Sequence, residues 1–115
     1  MSAEPYCPDE GDIIWIDFDP QKGHEQRGHR RALVLTPIAY NKRVKLCILC
    51  PITSEVKGYP LEMPVPPGGT TDSAVLCDQV KSLSWLERRS QFIERAPAEL
   101  MAHVRAMVKA LLKIP

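Results

Sequence analysis

The segment GDIIWIDFD, residues 11–19, shows a regular alternation of apolar and polar side chains. Ile14, Ile16 and Phe18 alternate with Trp15, Asp17 and Asp19. Because successive side chains of a strand point to opposite faces, this period of two predicts a strand with one fully apolar face.

Further short apolar runs follow, separated by stretches rich in glycine, proline and charge. They predict strands over residues 32–36, 44–52, 61–65, 73–80 and 90–95. Asn41–Arg43 suit a turn before the third strand, and Pro51 suggests that this strand ends at an edge or a bulge.

The C-terminal segment has a different period. After Pro97, which suits the first position of a helix, apolar residues recur at steps of three and four. We therefore expect an amphipathic helix of about four turns. Its apolar stripe comprises Leu100, Met101, Val104, Met107, Val108, Leu111 and Leu112. Short strands, irregular loops and one terminal helix indicate an α+β protein, mostly β, built as a small curled sheet or barrel.

Composition narrows the possible classes of protein. The length of 115 residues suits one domain, and a net charge of +1 excludes a uniformly basic nucleic-acid binder but permits a basic patch. No apolar run approaches the roughly 18 residues of a membrane span. The polar start, residues 1–10, is expected to be a loose arm without a secretory signal, which favours the cytoplasm. In that reducing compartment the four cysteines should be free thiols, two or three of them buried.

The loop before the second strand is rich in charged and titratable side chains. Four cations, two imidazoles and one carboxylate fall within ten residues, 22–31. A solvated polar loop is the ordinary interpretation, but Arg30 stands directly before an apolar strand, where a side chain is held more rigidly than at a loop tip. A guanidinium makes paired hydrogen bonds to phosphate. RNA cleavage by the 2'-hydroxyl needs little besides such a charge and proton carriers, for which His24, Glu25 and His29 are candidates.

Other candidates are weaker. Thr53, at the end of the third strand, could bind a substrate, although a turn hydroxyl is its ordinary role. Cys47 and Cys50 have the spacing of a zinc knuckle, but positions three apart in a strand point to opposite faces, so no metal site is expected. Trp15 and Trp85 are expected in the core.

Together, these segments resemble a known family. GDIIWIDFDPQKGHEQRGHRRALVL, then PIT with SEVKGYP, then AVLCDQVKSLSW are similar in order and spacing to the MazF family of bacterial toxin endoribonucleases. The resemblance covers the chain from Gly11 to the C-terminal helix. It implies a single domain over 1–115 with an SH3-like curled antiparallel sheet, assembled as a homodimer.

The resemblance also implies an activity. Members of the family cut single-stranded RNA at short motifs without metal or cofactor, leaving a 2',3'-cyclic phosphate and a 5'-hydroxyl, and so inhibit translation and growth. The partner that the resemblance implies is a MazE-like antitoxin whose acidic, disordered tail blocks the RNA site. The family's catalytic residues fall on Arg30, Thr53 and Glu25. Expected substrate-binding residues are His24, Gln26, His29, Lys57, Asp78 and Gln79.

Two positions depart from the family pattern. Arg31 stands where the family commonly has proline, and the sequence offers no reason for it. Leu76 stands where the related Kid/PemK branch has an arginine, which gives Asp78 a secondary role. The alternative is a CcdB-like toxin that binds DNA gyrase and cuts nothing, and a third hypothesis is an inactive RNA-binding regulator. A gyrase binder needs no phosphate site, so the Arg30–Thr53 pair favours the nuclease.

Overall fold

The computed structural model describes residues 4–18, 29–65 and 73–115. Its elements follow the chain as seven strands and two helices. They are β1 (Asp12–Asp17), β2 (His29–Val34), α1 (Ile38–Val44), β3 (Cys47–Thr53), β4 (Glu62–Val65), β5 (Ser73–Leu76), β6 (Lys81–Leu83), β7 (Gln91–Arg95) and α2 (Ala98–Leu112).

The strands form one antiparallel sheet in the order β4-β5-β3-β2-β1-β7, and β6 also pairs with β3. In the described part of the chain the end strands β4 and β7 do not pair with each other, so the sheet is open and not a closed barrel. The α+β class with a mostly antiparallel sheet and a C-terminal helix is confirmed. No helix among the described residues is long and apolar enough to cross a membrane.

Each face of the sheet has its own apolar core. In β1 and β2, Ile14, Ile16 and Ala32 face one core, while Ile13 and Leu33 face the other. The first core is closed by Trp85, and the second by α2 through its buried residues Leu100, Met101 and Val104. Each fully buried aliphatic side chain of this size contributes roughly 1.5–3 kcal/mol. The apolar face predicted for residues 11–19 therefore contacts one of two cores, and a second core covers the opposite face of the sheet.

The segment between β2 and β3 differs from the prediction. Asn41–Arg43 belong to α1 rather than to a turn, and β3 begins at Cys47, not Val44. Asn41 decides this local structure, because its buried amide donates to the carbonyls of Pro8 and Thr36 at 2.9 Å each and accepts from the Thr36 hydroxyl at 2.7 Å. A polar side chain buried in this way must be hydrogen-bonded, and the helix places it where these partners lie.

Pro51 also lies elsewhere than expected. It is in a central strand, opposite Ala32 of β2, and not at an edge. On the other side of β3, pairing with β6 ends at Leu49 and pairing with β5 begins at Ile52. Pro51 therefore falls between two partner strands, where its missing N–H removes no ladder bond.

The C-terminal half also differs from the prediction, at two boundaries and by one additional strand. The strand predicted over 73–80 stops at Leu76 and is followed by a turn, and the short β6 was not predicted. Pro97 precedes α2 as its cap with ψ 145°, so the helix begins one residue later. Turns and caps depend on backbone angles that an apolar pattern does not encode.

The N-terminal segment, predicted as a loose arm, makes specific contacts where it is described. Pro8 is buried, and the Tyr6 hydroxyl donates to the carboxylate of Asp12. Burial and this hydrogen bond raise the pKa of Tyr6. Arg95 of β7 donates to the same Asp12 at 2.8 Å, so this network joins the segment to the sheet.

Candidate functional site

Arg30 is a strand residue and not a loop residue. It lies in β2 opposite Ile16, on the face that carries Ala32. Its guanidinium carbon stands 5.5 Å from the centre of the Phe18 ring, and the ammonium of Lys81 stands 5.3 Å from the same ring. Contact with an aromatic face stabilises a cation and restricts its side chain. The half-buried Arg30 is therefore held in a defined place.

Thr53 comes next to Arg30 through sheet pairing. Arg31 pairs with Ile52, and the same antiparallel register carried one residue further sets Arg30 opposite Thr53. The Thr53 oxygen accepts the N–H of Glu55 at 2.9 Å, which is the turn role that the sequence allows. This bond uses only a lone pair, so the hydroxyl hydrogen remains available to donate.

Arg30 and Thr53 line one cleft of about 330 Å³ at the ends of β2 and β3. The cleft is further lined by Trp15, His29, Arg31, Ile52, Ser54 and Glu55. Cationic, hydroxyl and aromatic groups thus surround one open space, which suits a ligand with both phosphate and a flat ring.

His29 lies at the mouth of this cleft. Its Nε2 is 3.4 Å from the carboxylate of Asp17, the residue opposite it in β1. Its ring lies 6.4 Å from that of Trp15 with an interplanar angle of 33°. A neighbouring carboxylate orients an imidazole ring. The Asp17 carboxylate therefore helps to fix the position of the His29 ring beside the cleft.

Trp15 is the functional candidate that the sequence analysis missed. It was expected in the core, but 39% of it is exposed. Its position between two buried isoleucines of β1 suits the face opposite to Ile14 and Ile16, and an alternating pattern does not tell whether such a residue is covered. Trp85 is buried as predicted, and its Nε1 donates to the Asn41 carbonyl at 2.9 Å.

Arg31, unexplained by the sequence, has definite partners. It faces Trp15 in β1 and Ile52 in β3. Its Nη2 donates to the hydroxyl of Ser73 at 2.6 Å and to that of Ser54 at 3.5 Å. No sequence signal joins three residues so far apart in the chain, and only the strand pairing brings them together.

A second cleft of about 270 Å³ adjoins the first, because Thr53 and Glu55 line both. Lys57, Tyr59 and Gln79 also line it. Of the predicted binding residues, the structure thus places Lys57 and Gln79 beside Thr53. The two clefts form a groove that a chain of nucleotides could follow.

Asp78 is engaged at the rim of this groove. Its carboxylate accepts a hydrogen bond from the hydroxyl of Tyr59, and this bond raises the pKa of Tyr59. The side chain of Asp78 is thereby turned toward the loop that follows β3.

Three predicted site residues, His24, Glu25 and Gln26, lie outside the described residues. Within the described ranges, no three His, Cys, Asp or Glu side chains are grouped to hold a metal ion. Cys47 and Cys50 belong to opposite cores, as their spacing predicted. Burial raises the pKa of each thiol to about 12, which keeps both neutral.

Comparison with known proteins gives consistent matches. Residues 9–112 match the family described as PemK-like, MazF-like toxin of type II toxin-antitoxin system. Among curated proteins, the endoribonuclease toxin MazF of Escherichia coli K12 is 43% identical, over 93% of this chain and 96% of its own length. The endoribonuclease PemK of Escherichia coli is 31% identical, over 89% and 80%.

Solved structures match as closely. A crystal structure of MazF from Deinococcus radiodurans superposes with a TM-score of 0.83 at 45% identity, covering 95% of this chain and 99% of that one. A MazE-MazF crystal structure from the same organism gives 0.82 at 45% identity, covering 96% and 99%.

Proposed function

Since the chain belongs to the family of PemK-like, MazF-like toxins of type II toxin–antitoxin systems, we propose that it is an endoribonuclease that cuts single-stranded RNA at a short sequence motif. The convergence of Arg30 and Thr53 on one cleft carries this proposal. The curated relative with 43% identity is named an endoribonuclease toxin. Cleavage of messenger RNA inhibits translation and growth, which accounts for toxicity.

The proposed reaction is an internal displacement at phosphorus. The 2'-oxygen attacks the phosphorus, the bond from phosphorus to the 5'-oxygen breaks, and a 2',3'-cyclic phosphate and a 5'-hydroxyl result. One proton leaves the 2'-hydroxyl for a base, and one proton reaches the leaving oxygen from an acid. The protein must supply proton carriers and stabilise the negative charge of the phosphorane.

Arg30 is proposed to stabilise the phosphorane. A guanidinium carries a delocalised positive charge, and contact with the Phe18 ring restricts the Arg30 side chain. Thr53 would donate its hydroxyl hydrogen to a phosphate oxygen, since the hydroxyl oxygen is already fixed by the Glu55 N–H. Glu25 is proposed as the base or as the group that orients Arg30.

The groove beyond these residues would hold the flanking nucleotides. Lys57 and Gln79 line its second part and are suited to phosphate and base edges, respectively. His29 would contact the RNA at the other end. His24, Gln26 and Asp78 complete the proposed set of RNA-binding residues, and no metal or cofactor takes part in the proposed reaction.

We propose a MazE-like antitoxin as the protein partner. The similar chains from Deinococcus radiodurans were crystallised as MazE-MazF complexes. An acidic tail is complementary to a groove that presents Arg30, Arg31 and Lys57. Occupation of that groove would exclude RNA. We further propose that the toxin acts in the cytoplasm as a homodimer.

The test is digestion of a long RNA by the purified protein in EDTA. We expect cleavage at defined sites, read by primer extension, with a cyclic phosphate at the new 3' end. Arg30→Ala should reduce the rate by about 10²–10³-fold, as for a lost group that stabilises transition-state charge, and Thr53→Val should reduce it less. Arg43→Ala removes an exposed cation of α1, outside the cleft, and should cleave normally.

Two results would contradict the proposal. Intact RNA together with inhibition of DNA gyrase would favour the CcdB-like alternative. RNA that is bound but never cut, by wild type and variants alike, would indicate an RNA-binding regulator.

A further inference from the structure

Arg31 and Arg30 are consecutive residues of β2, so their side chains leave the strand on opposite faces. Arg30 lies on the face of Phe18 and Lys81. Arg31 lies on the face of Trp15, its partner in β1. Both nonetheless line the same cleft. The two arginines therefore border one cleft, although their side chains leave the strand on opposite faces.

Only one nitrogen of Arg31 is engaged in the described part of the chain. Nη2 makes both hydrogen bonds, to Ser73 and to Ser54. Nη1 and Nε make none there, and no carboxylate of the described residues forms an ion pair with Arg31. Neutral hydroxyls orient a guanidinium without neutralising it, so with respect to the described residues its charge and three of its five N–H groups remain available to an anion.

The positions of the two serines add to this orientation. Ser54 directly follows β3 and lines the cleft, and Ser73 is the first residue of β5. A long arginine side chain loses rotamer entropy when it is fixed. Because the hydrogen bonds to Ser54 and Ser73 already restrict the side chain, less entropy is lost when a ligand binds. Arg31 is thus held in position rather than free in solvent.

We propose that Arg31 binds a backbone phosphate of the RNA next to the one that is cut, and so positions the substrate. The inference rests on the proposed endoribonuclease function. Because the side chains of the two arginines leave the strand on opposite faces, they are suited to two different phosphates. The base of the intervening nucleotide would lie against Trp15, which faces Arg31 across the strand pair. Arg31 acts on binding, whereas Arg30 acts on the chemical step.

The experiment measures binding of an RNA oligomer that contains the cleavage motif with 2'-deoxyribose at the cut position, so that it cannot react. Dissociation constants are measured between about 50 and 300 mM salt for wild type and for Arg31→Gln. One phosphate contact contributes about 0.7 to the slope of log K against log salt for single strands. We expect the slope to fall by about 0.7 in Arg31→Gln, and the affinity near 0.1 M salt to fall about fivefold.

Two further variants separate charge from structure. Arg31→Lys keeps the charge and should keep the slope. Arg43→Gln removes a remote, exposed arginine of α1 and should change neither the slope nor the affinity beyond about twofold. For cleavage of the natural RNA, Arg31→Gln should raise KM about fivefold, while Arg30→Ala lowers kcat.

The inference and the function fail in different ways. If wild type does not cut RNA, the proposed function is wrong, whatever Arg31 does. If wild type cuts RNA but Arg31→Gln binds with an unchanged slope, the inference is overturned. A lower melting temperature in Arg31→Gln with an unchanged slope would overturn it too, because it would mark a structural role.

Discussion

Arg30 and Arg31 are neighbours in one strand, but their side chains have different contacts. Arg30 is oriented by an aromatic ring and Arg31 by two hydroxyls, although one peptide bond joins them. The sequence makes Arg30 a candidate because it adjoins an apolar run, and the structure places it within β2, where it lines the cleft. Arg31 could not be interpreted, because Ser54 and Ser73 lie 23 and 42 residues away.

We predict that Trp15 stacks on a base of the RNA. Its ring is partly exposed beside the cleft, where it offers a face to a nucleobase. Stacking on an aromatic side chain contributes about 1–3 kcal/mol per base. We therefore expect Trp15→Ala to weaken binding of the uncleavable RNA by about 5–150-fold, with much of the loss restored in Trp15→Phe.

Fluorescence anisotropy measures this, with Leu86→Ala as the control. Leu86 is a large apolar residue that is also exposed, but it lies outside both clefts. Equal affinities of Trp15→Ala and wild type for RNA would exclude a stacking role.

At the scale of elements, the apolar patterns of the sequence predicted where strands lie more accurately than the residues at which they begin and end. β1, β4 and β7 begin and end within a residue or two of prediction, because each has a run of apolar or β-branched residues between clear turn signals. Prediction failed between β2 and β3, where Val44 reads as the start of a strand but closes α1. The apolar run did not reveal that Asn41 needs a helix to reach its buried partners.

The exposed apolar residues at the end of helix α2 predict that the protein forms a homodimer. Leu100 and Val104 are buried against the sheet, but farther along the same stripe Leu111 is 43% exposed. Leu112 and Ile114 beside it are more exposed still. An apolar helix end left uncovered is typical of a subunit contact. We expect a homodimer at micromolar concentration, shifted toward monomer by Leu111→Glu.

Sedimentation equilibrium measures the association. Ala106→Glu is the matched control, since it introduces the same charge on the exposed, opposite side of the helix. A wild-type monomer, or equal association of both variants, would contradict a role for this helix end.

At the scale of the whole molecule, the buried thiols couple stability to alkaline pH. Burial raises the pKa of Cys47 and Cys50 from about 9 to about 12, and that of Cys77 to about 11. Between these values the unfolded chain has released protons that the folded chain keeps. The free energy of unfolding must therefore fall as the pH rises above about 9, by up to about 1.4 kcal/mol per pH unit for each thiol.

Denaturant unfolding at several pH values between about 8 and 11 checks this expectation. Cys50→Ala should be less stable at neutral pH but lose stability less steeply above pH 9, because one titrating thiol is gone. Val75→Ala also truncates a fully buried side chain, in the same core, and should keep the wild-type slope. Parallel curves for wild type and Cys50→Ala would show that this thiol ionises alike in both states.

Local patterns of the sequence predicted the mostly β class of fold and the terminal helix, and residue chemistry made Arg30 a candidate. These follow from periods of two and of three to four, and from residue chemistry, all of which are local along the chain. Tertiary structure alone decided that Trp15 is exposed, that Pro51 lies in a central strand and that Arg31 is held by Ser54 and Ser73. Burial and side-chain partners depend on which strands pair, and antiparallel pairing joins residues whose separation in the chain no local pattern records.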